Sequence, residues 1–121
     1  MSCPCCSGQP YESCCKPLHQ GVRAPNALAL MRSRYSAYAM HNVDYILRTQ
    51  TREKKRAEVV RFCTTTTFKK LEVLEFIDGE NEAYVTFKAH LEQKGEDCSF
   101  IEKSRFEKVN DIWIFVLGLC A

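Results

Sequence analysis

The strongest constraint on this chain is a cluster of cysteines at its start, since five of its eight cysteines fall within the first fifteen residues. Beyond the initial methionine, Leu18 is the one aliphatic side chain of any size in residues 1–21. A segment so poor in apolar groups cannot order itself by burying them. Some other interaction must therefore supply the free energy that orders it.

The spacing of these cysteines favours a metal ion. A Ser-Gly-Gln-Pro turn separates two groups of cysteines. It lets the chain reverse, so that Cys14 and Cys15 return to Cys3 and Cys5. Zinc prefers four tetrahedral sulfur or nitrogen ligands, and such a site contributes folding free energy directly. With Cys6, five sulfurs compete for four positions. A disulfide pair in a secreted protein and a redox-active thiol site at an exposed Cys6 are the alternatives.

This segment resembles the SEC-C motif, which is found at the C-terminus of the SecA preprotein translocase and at the ends of many small bacterial proteins. The motif reads Cys-x-Cys, then eight residues, then Cys followed by Cys or His. Pro4, Ser7, Gly8 and Tyr11 also match its usual residues. The resemblance implies a SEC-C-like zinc-binding motif over residues 1–21, with Cys6 as a spare sulfur where the motif has glycine. The implied zinc ligands are Cys3, Cys5, Cys14 and Cys15.

By analogy with the translocase, the resemblance also implies a protein partner, either a SecB-like chaperone or the ribosome. The lysines that usually follow Ser-Gly in the motif are replaced here by Gln9 and Pro10, with Glu12 a little later. This module is therefore less basic than its relatives. Four thiolates and one Zn²⁺ would add a formal charge of about −2, which brings the chain's net charge of +2 to about zero.

The rest of the composition is that of one globular domain. With 121 residues, 45% of them hydrophobic and 26% charged, the chain can bury a core and is too apolar to be mainly disordered. No apolar run approaches the roughly 18 residues of a membrane span. The N-terminus lacks the basic-then-apolar order of a signal peptide, so we expect a cytoplasmic protein. The remaining cysteines are interpreted as small buried hydrophobes: Cys63, Cys98 and Cys120.

From residue 25 the hydrophobic period is helical. Pro25 suits a first helical turn, with Asn26 close to the cap. Further helices are expected over residues 43–49 and 52–63, the last with a basic outer face. Arg34 falls in the middle of the first helix's apolar arc. Four residues lie at the edge of that arc or beyond it: Arg32, Ser33, Ser36 and Met40.

After residue 67 the period changes to two, which is typical of strands. Residues 83–91 alternate apolar and polar side chains, with hairpin signals at Asp78-Gly79 before them and Lys94-Gly95 after them. Residues 112–119 are apolar on both faces, as in a central strand covered on both sides. Three helices followed by about four antiparallel strands predict an α+β fold. One face of residues 100–109 carries Phe100, Glu102, Ser104 and Phe106.

Glu102 and Arg34 are both predicted to lie on buried faces. Burying either charge alone would cost several kcal/mol, so we expect the two to meet beneath the helix. The pair either fixes the helix on the sheet or forms a polar pocket that binds a small ligand. The candidate pocket residues are Arg34, Tyr35, Asp44, Glu102, Ser104 and Trp113.

A second resemblance is carried by the blocks at residues 30–38, 44–45 and 102–106, which look like the YchJ family of bacterial proteins. That family has a nuclear transport factor 2-like domain, in which a strongly curved antiparallel sheet is wrapped by helices into a cone. The resemblance implies such a domain over residues 24–121. YchJ proteins often end in a second SEC-C motif, whereas this chain stops at Ala121 with a lone Cys120. We therefore expect no role that needs two zinc modules.

The favoured function is that of a zinc-binding interaction or scaffold protein, because no acid–base set is evident and no catalytic residue is predicted. His19, His41 and His90 have no recognisable catalytic spacing. An enzyme or small-ligand binder that uses the cone cavity is the first alternative, with Asp44 or Glu102 as the base. The apolar last strand would suit a homodimer. RNA binding is the less favoured alternative, through Arg52, Lys54, Lys55, Arg56 and Arg61.

Overall fold

The computed structural model describes residues 1–120, apart from the side chain of Cys120. After a 3-10 turn at Tyr11–Ser13, four helices precede five strands. The helices are α1 (Lys16–His19), α2 (Ala27–Ala39), α3 (Val43–Arg48) and α4 (Arg56–Thr65). The strands are β1 (Thr67–Ile77), β2 (Glu82–Gln93), β3 (Glu96–Asp97), β4 (Phe100–Val109) and β5 (Ile112–Cys120).

The predicted α+β fold is confirmed, with the helices packed on one antiparallel sheet. Its order is β1-β2-β4-β5, and the two-residue β3 pairs with β2. The register shifts three times, twice between β1 and β2 and once between β4 and β5. Such shifts bend strands and increase their twist, which produces the curvature expected of a cone.

The strand over residues 112–119 is an edge strand, so the prediction of a central strand is wrong. Ile112 and Leu119 are consequently exposed, while Trp113 is buried. The edge is covered in one place by the segment after α3. There the Thr51 amide donates to the Phe115 carbonyl at 3.0 Å, and the Phe115 amide donates to the Thr49 carbonyl at 2.9 Å.

Side-chain caps set the starts of α2 and α3. The Asn26 carboxamide oxygen accepts from the Ala29 amide at 2.8 Å, and Asn42 caps α3 in the same way. Pro25 precedes the cap, so it does not lie in the first turn as expected. The third predicted helix begins at Arg56, four positions later than predicted. The segment before it is held against β5, where Gln50 forms a bridge with Phe115.

Helix α2 is buried on almost every side, which the amphipathic prediction did not anticipate. Ser33 and Ser36, placed outside the apolar arc, are fully buried together with Arg34. The reason is that α2 lies between the sheet and the cysteine-rich segment. Cys63 is buried as expected and Cys98 is half-buried, while the side chain of Cys120 is outside the described residues.

Within residues 1–120, no helix combines the length and the apolar character needed to cross a membrane. The core lies between α2 and the concave face of the sheet, where β2 contributes the alternating positions that the sequence predicted. Those buried positions are Ala83, Val85, Phe87, Ala89 and Leu91.

Candidate metal centre and interior cavity

The first fifteen residues fold back on themselves through backbone hydrogen bonds. The Cys3 amide donates to the Gln9 carbonyl at 2.9 Å, and the Tyr11 amide donates to the Met1 carbonyl at 3.1 Å. The 3-10 turn and α1 follow immediately and carry the chain back across this loop. The predicted reversal of the chain therefore brings Cys14 and Cys15 close to Cys3 and Cys5.

The four sulfurs named by the motif lie within 4.8 Å of one another. Cys5 Sγ is 3.6 Å from Cys14 Sγ, and Cys14 Sγ is 3.9 Å from Cys15 Sγ. A tetrahedral zinc site with bonds of about 2.3 Å requires sulfur–sulfur separations of about 3.8 Å. None of the cysteines whose side chains are described forms a disulfide. The donor set and its spacing thus fit a zinc ion.

Three polar side chains that the sequence analysis missed surround this cluster. Ser36 Oγ lies 3.4 Å from Cys3 Sγ and donates to Cys15 Sγ at 3.3 Å. Ser7 Oγ lies 3.1 Å from Cys14 Sγ. Arg32 Nη1 donates to the Cys5 carbonyl at 2.8 Å. Such outer contacts orient metal ligands. Arg32 and Ser36 are four residues apart and therefore lie on one face of α2. This spacing could have predicted a polar face of α2 that contacts the cysteine-rich segment.

Hydrogen bonds between the thiols shift their pKa values in opposite directions. Hydrogen bonding by the Cys15 thiol lowers the pKa of Cys5 to about 4 against the opposing effect of burial. The same interaction raises the pKa of Cys15, and burial raises the pKa of Cys14. Neighbouring thiols therefore stabilise the thiolate form of Cys5. A divalent cation would bind there with release of the remaining protons.

Cys6 is separate from this cluster. It is exposed, with its backbone in the left-handed region at a φ of 64°, and the Leu71 amide of β1 donates to its sulfur at 3.5 Å. A left-handed backbone explains why a glycine would suit this position. The geometry therefore places Cys6 outside the four-sulfur group and against the sheet.

His19 joins the cysteine-rich segment to the rest of the protein. Its Nε2 lies 2.8 Å from the Ser33 carbonyl, which can only accept, so Nε2 carries the proton. Tyr11 then donates its hydroxyl to Nδ1 at 2.8 Å. Burial lowers the pKa of His19, which favours this neutral form. Both ring nitrogens of His19 are therefore occupied by local hydrogen bonds.

A cavity of about 400 Å³ lies between α2, α4 and the concave face of the sheet. Its wall is strongly aromatic, because it includes six of the seven phenylalanines of the chain. Four of the predicted pocket residues line it: Arg34, Tyr35, Glu102 and Ser104. The phenylalanines are Phe62, Phe68, Phe87, Phe100, Phe106 and Phe115.

Arg34 does not form the predicted ion pair with Glu102. Its Nη1 donates to the Ile46 carbonyl at 3.0 Å and to Thr49 Oγ1 at 2.7 Å, and its Nη2 donates to Gln50 Oε1 at 2.9 Å. These neutral acceptors lie at and just beyond the end of α3, and they take the place of a carboxylate. The guanidinium carbon also sits 4.6 Å from the centre of the Phe115 ring.

Glu102 is held elsewhere in the same cavity. Ser104 Oγ donates to its Oε2 at 2.6 Å. Its carboxylate lies over Gly118 of β5, where an added Cβ would approach the carboxylate atoms to within 2.3–2.5 Å. Glycine at this position therefore leaves the space that the carboxylate occupies.

Two predicted pocket residues lie outside the cavity. Asp44 is exposed at the start of α3, where it forms an ion pair with Arg56. At the surface its carboxylate stays hydrated and avoids the free-energy cost of burial in the cavity. Trp113 is buried in the core, with Lys108 Nζ 5.4 Å from its ring centre. Tyr35 lines the cavity, and burial raises its pKa to about 12.

The predicted basic helix face is also broken up. Arg52, Lys54 and Lys55 precede α4, and Arg56 is engaged by Asp44. Arg61 alone of the five projects from within the body of the helix as an exposed cation. The continuous basic stripe that favoured RNA binding is therefore absent from the described residues.

Comparison with known proteins matches residues 26–118 to the family described as the YchJ middle NTF2-like domain. A UPF0225 protein of Photorhabdus laumondii is 40% identical, over 97% of this chain and 79% of its own length. The solution structure of a SEC-C motif containing protein from Rhodopseudomonas palustris superposes with a TM-score of 0.92 at 33% identity, covering 100% of this chain and 99% of that one.

A crystal structure of an NTF-2-like protein of unknown function from Shewanella oneidensis is similar over 75% of this chain and 92% of its own, with a TM-score of 0.56 and 11% identity. At that identity the likeness concerns the fold alone. It confirms the predicted cone-type architecture.

Proposed function

This chain belongs to the YchJ family, and on that premise we propose that it is a zinc-dependent interaction protein. One structural Zn²⁺, bound by Cys3, Cys5, Cys14 and Cys15, would order the cysteine-rich arm. We define that arm as residues 1–21. The observation that carries the proposal is the four-sulfur cluster, whose members lie within 4.8 Å of one another.

Four protein sulfurs complete a tetrahedral coordination shell, so the ion would have a structural role and no open position for a substrate. The environment supports this role. Cys3, Cys5 and Cys15 are buried, and Ser36 and Arg32 attach the cluster to α2. The bound ion would supply the folding free energy that the arm's side chains lack.

The arm would present a protein-docking surface on the side that faces away from α2. Gly8, Gln9, Pro10, Glu12 and Ser13 are exposed and would form this surface, whereas the sulfurs of Cys3 and Cys15 contact Ser36 of α2. This surface has one charged group, Glu12, so the partner would be recognised by shape and backbone hydrogen bonding more than by charge. A SecB-like chaperone or the ribosome in the cytoplasm is the partner that the SEC-C motif suggests.

Neighbouring cysteines provide a matched test. Cys5→Ser removes a sulfur from the cluster, whereas Cys6→Ser changes an exposed cysteine outside it. We expect native mass spectrometry under reducing conditions to find one zinc ion in the wild type and in Cys6→Ser and none in Cys5→Ser. Equal metal content in Cys5→Ser, or no transition metal in the wild type, would refute the zinc site.

The docking step needs its own measurement. The measurement is a pull-down from nuclease-treated and untreated cell extracts. Immobilised wild-type protein and Cys6→Ser should capture the same chaperone or ribosomal proteins, and Cys5→Ser should capture none of them. A double exchange on the exposed surface, Gln9→Ala with Glu12→Ala, should weaken retention while zinc remains bound. Retention that is unaffected by both the double exchange and Cys5→Ser would exclude the arm as the docking surface.

A further inference from the structure

Arg34 carries a buried positive charge that no carboxylate of the described residues neutralises within ion-pair distance. It is 7% exposed, and its three hydrogen bonds all go to neutral oxygens. A guanidinium has five N–H donors, and for Nε and the second Nη2 proton the described chain supplies no acceptor. Burial without an ion pair is costly for a cation. An anion that entered the cavity could pair with the guanidinium donors that remain free.

The surroundings of Arg34 define what kind of anion fits. Arg34 lines the cavity of about 400 Å³, a size within the roughly 300–1,000 Å³ typical of small-molecule sites. Phe115 stacks beneath the guanidinium, and Phe106 packs on Phe115 with 5.7 Å between ring centres. A hydrated inorganic ion would make no apolar packing contacts with this aromatic wall. An organic anion with an aromatic body would fill it.

We propose that this cavity binds a small aromatic carboxylic acid, with the carboxylate paired to Arg34 and the ring packed among the phenylalanines. Arg–carboxylate pairing is bidentate and charge-assisted, and it would use the guanidinium donors that the chain leaves free. This ligand site does not depend on the zinc proposal, because the four sulfurs and the cavity share no residue.

Glu102 adds a selectivity element to the same cavity. Its Oε2 accepts from Ser104, and its Oε1 has no partner among the described residues. A carboxylate in the cavity disfavours ligands with two negative charges and favours a ligand that brings a hydrogen-bond donor. The acid should therefore be a monocarboxylate that carries a hydroxyl or amino group away from its carboxylate.

The probe is 4-hydroxyphenylacetate, compared with 4-hydroxyphenylacetamide and phenylacetate by isothermal titration and amide chemical-shift mapping. Replacing the carboxylate by an amide should weaken binding at least about tenfold, since a charge-assisted bond to Arg34 is lost. Removing the hydroxyl should weaken it by about threefold to tenfold. Shifts should concentrate on residues of the cavity wall.

Variants test the two polar groups separately. Arg34→Lys keeps the charge but loses the planar fork, and binding should fall at least about tenfold. Glu102→Gln should reduce the preference for the hydroxylated acid over phenylacetate, whereas Glu107→Gln, on the opposite face of β4, should leave it unchanged. Because Arg34 also holds the end of α3, its variant tests binding only where its amide spectrum stays dispersed. Otherwise the comparison of acid with amide decides, since it uses the wild-type protein.

Three results would overturn the proposal. These are no binding of 4-hydroxyphenylacetate up to about 5 mM, equal binding of the acid and the amide, or shifts that lie outside the cavity wall. A preference for the hydroxylated acid that survives in Glu102→Gln would overturn the selectivity role of Glu102.

Discussion

The arm and the cone of this protein are ordered by different physical means. In the arm the buried cluster is Cys3, Cys5 and Cys15, with Tyr11 and Cys14 packed against it. In the cone, which we define as the part of the protein from α2 to β5, seventeen buried residues form one hydrophobic cluster. The cone is therefore ordered by apolar burial, whereas the proposed function assigns the ordering of the arm to an ion that neutralises and holds its sulfurs.

Helix α2 is where the two regions meet, and it serves both. Leu30 and Met31 belong to the hydrophobic core, while Arg32 and Ser36 contact the arm. A helix without a clear apolar stripe can thus be a core helix when a second layer covers its other side. Substitutions in one layer should therefore leave the other layer largely unaffected.

Truncating a core aromatic should damage the cone far more than the arm. Phe106 is 1% exposed, so Phe106→Ala should lower the free energy of unfolding by about 3–5 kcal/mol, through lost burial and the cavity left behind. Phe100 lies on the same strand face but is 41% exposed, and Phe100→Ala should cost much less. Urea unfolding measures both, and equal losses would contradict the assignment of the core.

Removing the hydroxyl that bridges the two layers should weaken metal binding. Ser36 contacts the sulfurs of Cys3 and Cys15, so Ser36→Ala should lower zinc affinity about tenfold, as expected for an outer-shell contact. Ser33→Ala is the control, because it loses a 2.7 Å hydrogen bond to Tyr45 and has no contact with the sulfurs. Competition with a chromophoric chelator gives both affinities. Unchanged affinity in Ser36→Ala would show that the hydroxyl does not support the site.

Acidification should loosen the contact between arm and cone through His19. Because burial lowers the pKa of His19 in the folded protein, the unfolded chain binds the proton at higher pH. The stability contributed by neutral His19 is therefore complete above the ordinary histidine pKa and is lost as pH falls below it. Urea unfolding at pH 7.5 and 5.5 should show a smaller loss in His19→Gln than in the wild type. Equal losses would exclude a role for His19, because thiol protonation affects both proteins alike.

Relieving the strained backbone beside the cluster should have the smallest effect. Cys6 has a φ of 64°, so Cys6→Gly should raise the free energy of unfolding by about 0.5–1 kcal/mol without changing metal content. Gly8 has a φ of 86°, and Gly8→Ala should lower the free energy of unfolding by about 1 kcal/mol. If Cys6→Gly lost the metal, the sulfur of Cys6 would belong to the site after all.

Local patterns predicted much of this structure. The alternation over residues 83–91 gave a strand with the correct buried face, and the turn after Cys6 gave the reversal that brings the four sulfurs together. The burial of Arg34 was also predicted from its position among apolar neighbours. Each of these features depends on residues close together in the chain.

The features that sequence reasoning missed depend on contacts between distant segments. The acceptors of Arg34 lie 12 to 16 residues away, at and beyond the end of α3. The segment at 49–51 pairs with Phe115 and covers part of the sheet edge. Helix α4 therefore begins later in the sequence than predicted, at Arg56. An apolar strand such as β5 has the same sequence pattern at an edge or in the centre, so its position could not be read from its own residues.

Chelation followed residue by residue is the most direct test that a metal ion orders the arm and apolar burial orders the cone. Amide spectra of reduced, zinc-loaded protein would be recorded before and after addition of a strong chelator. The amides of residues 1–21 should lose their dispersion, while those of β2 keep theirs. Unchanged amides in the arm after the metal has been removed would contradict the account.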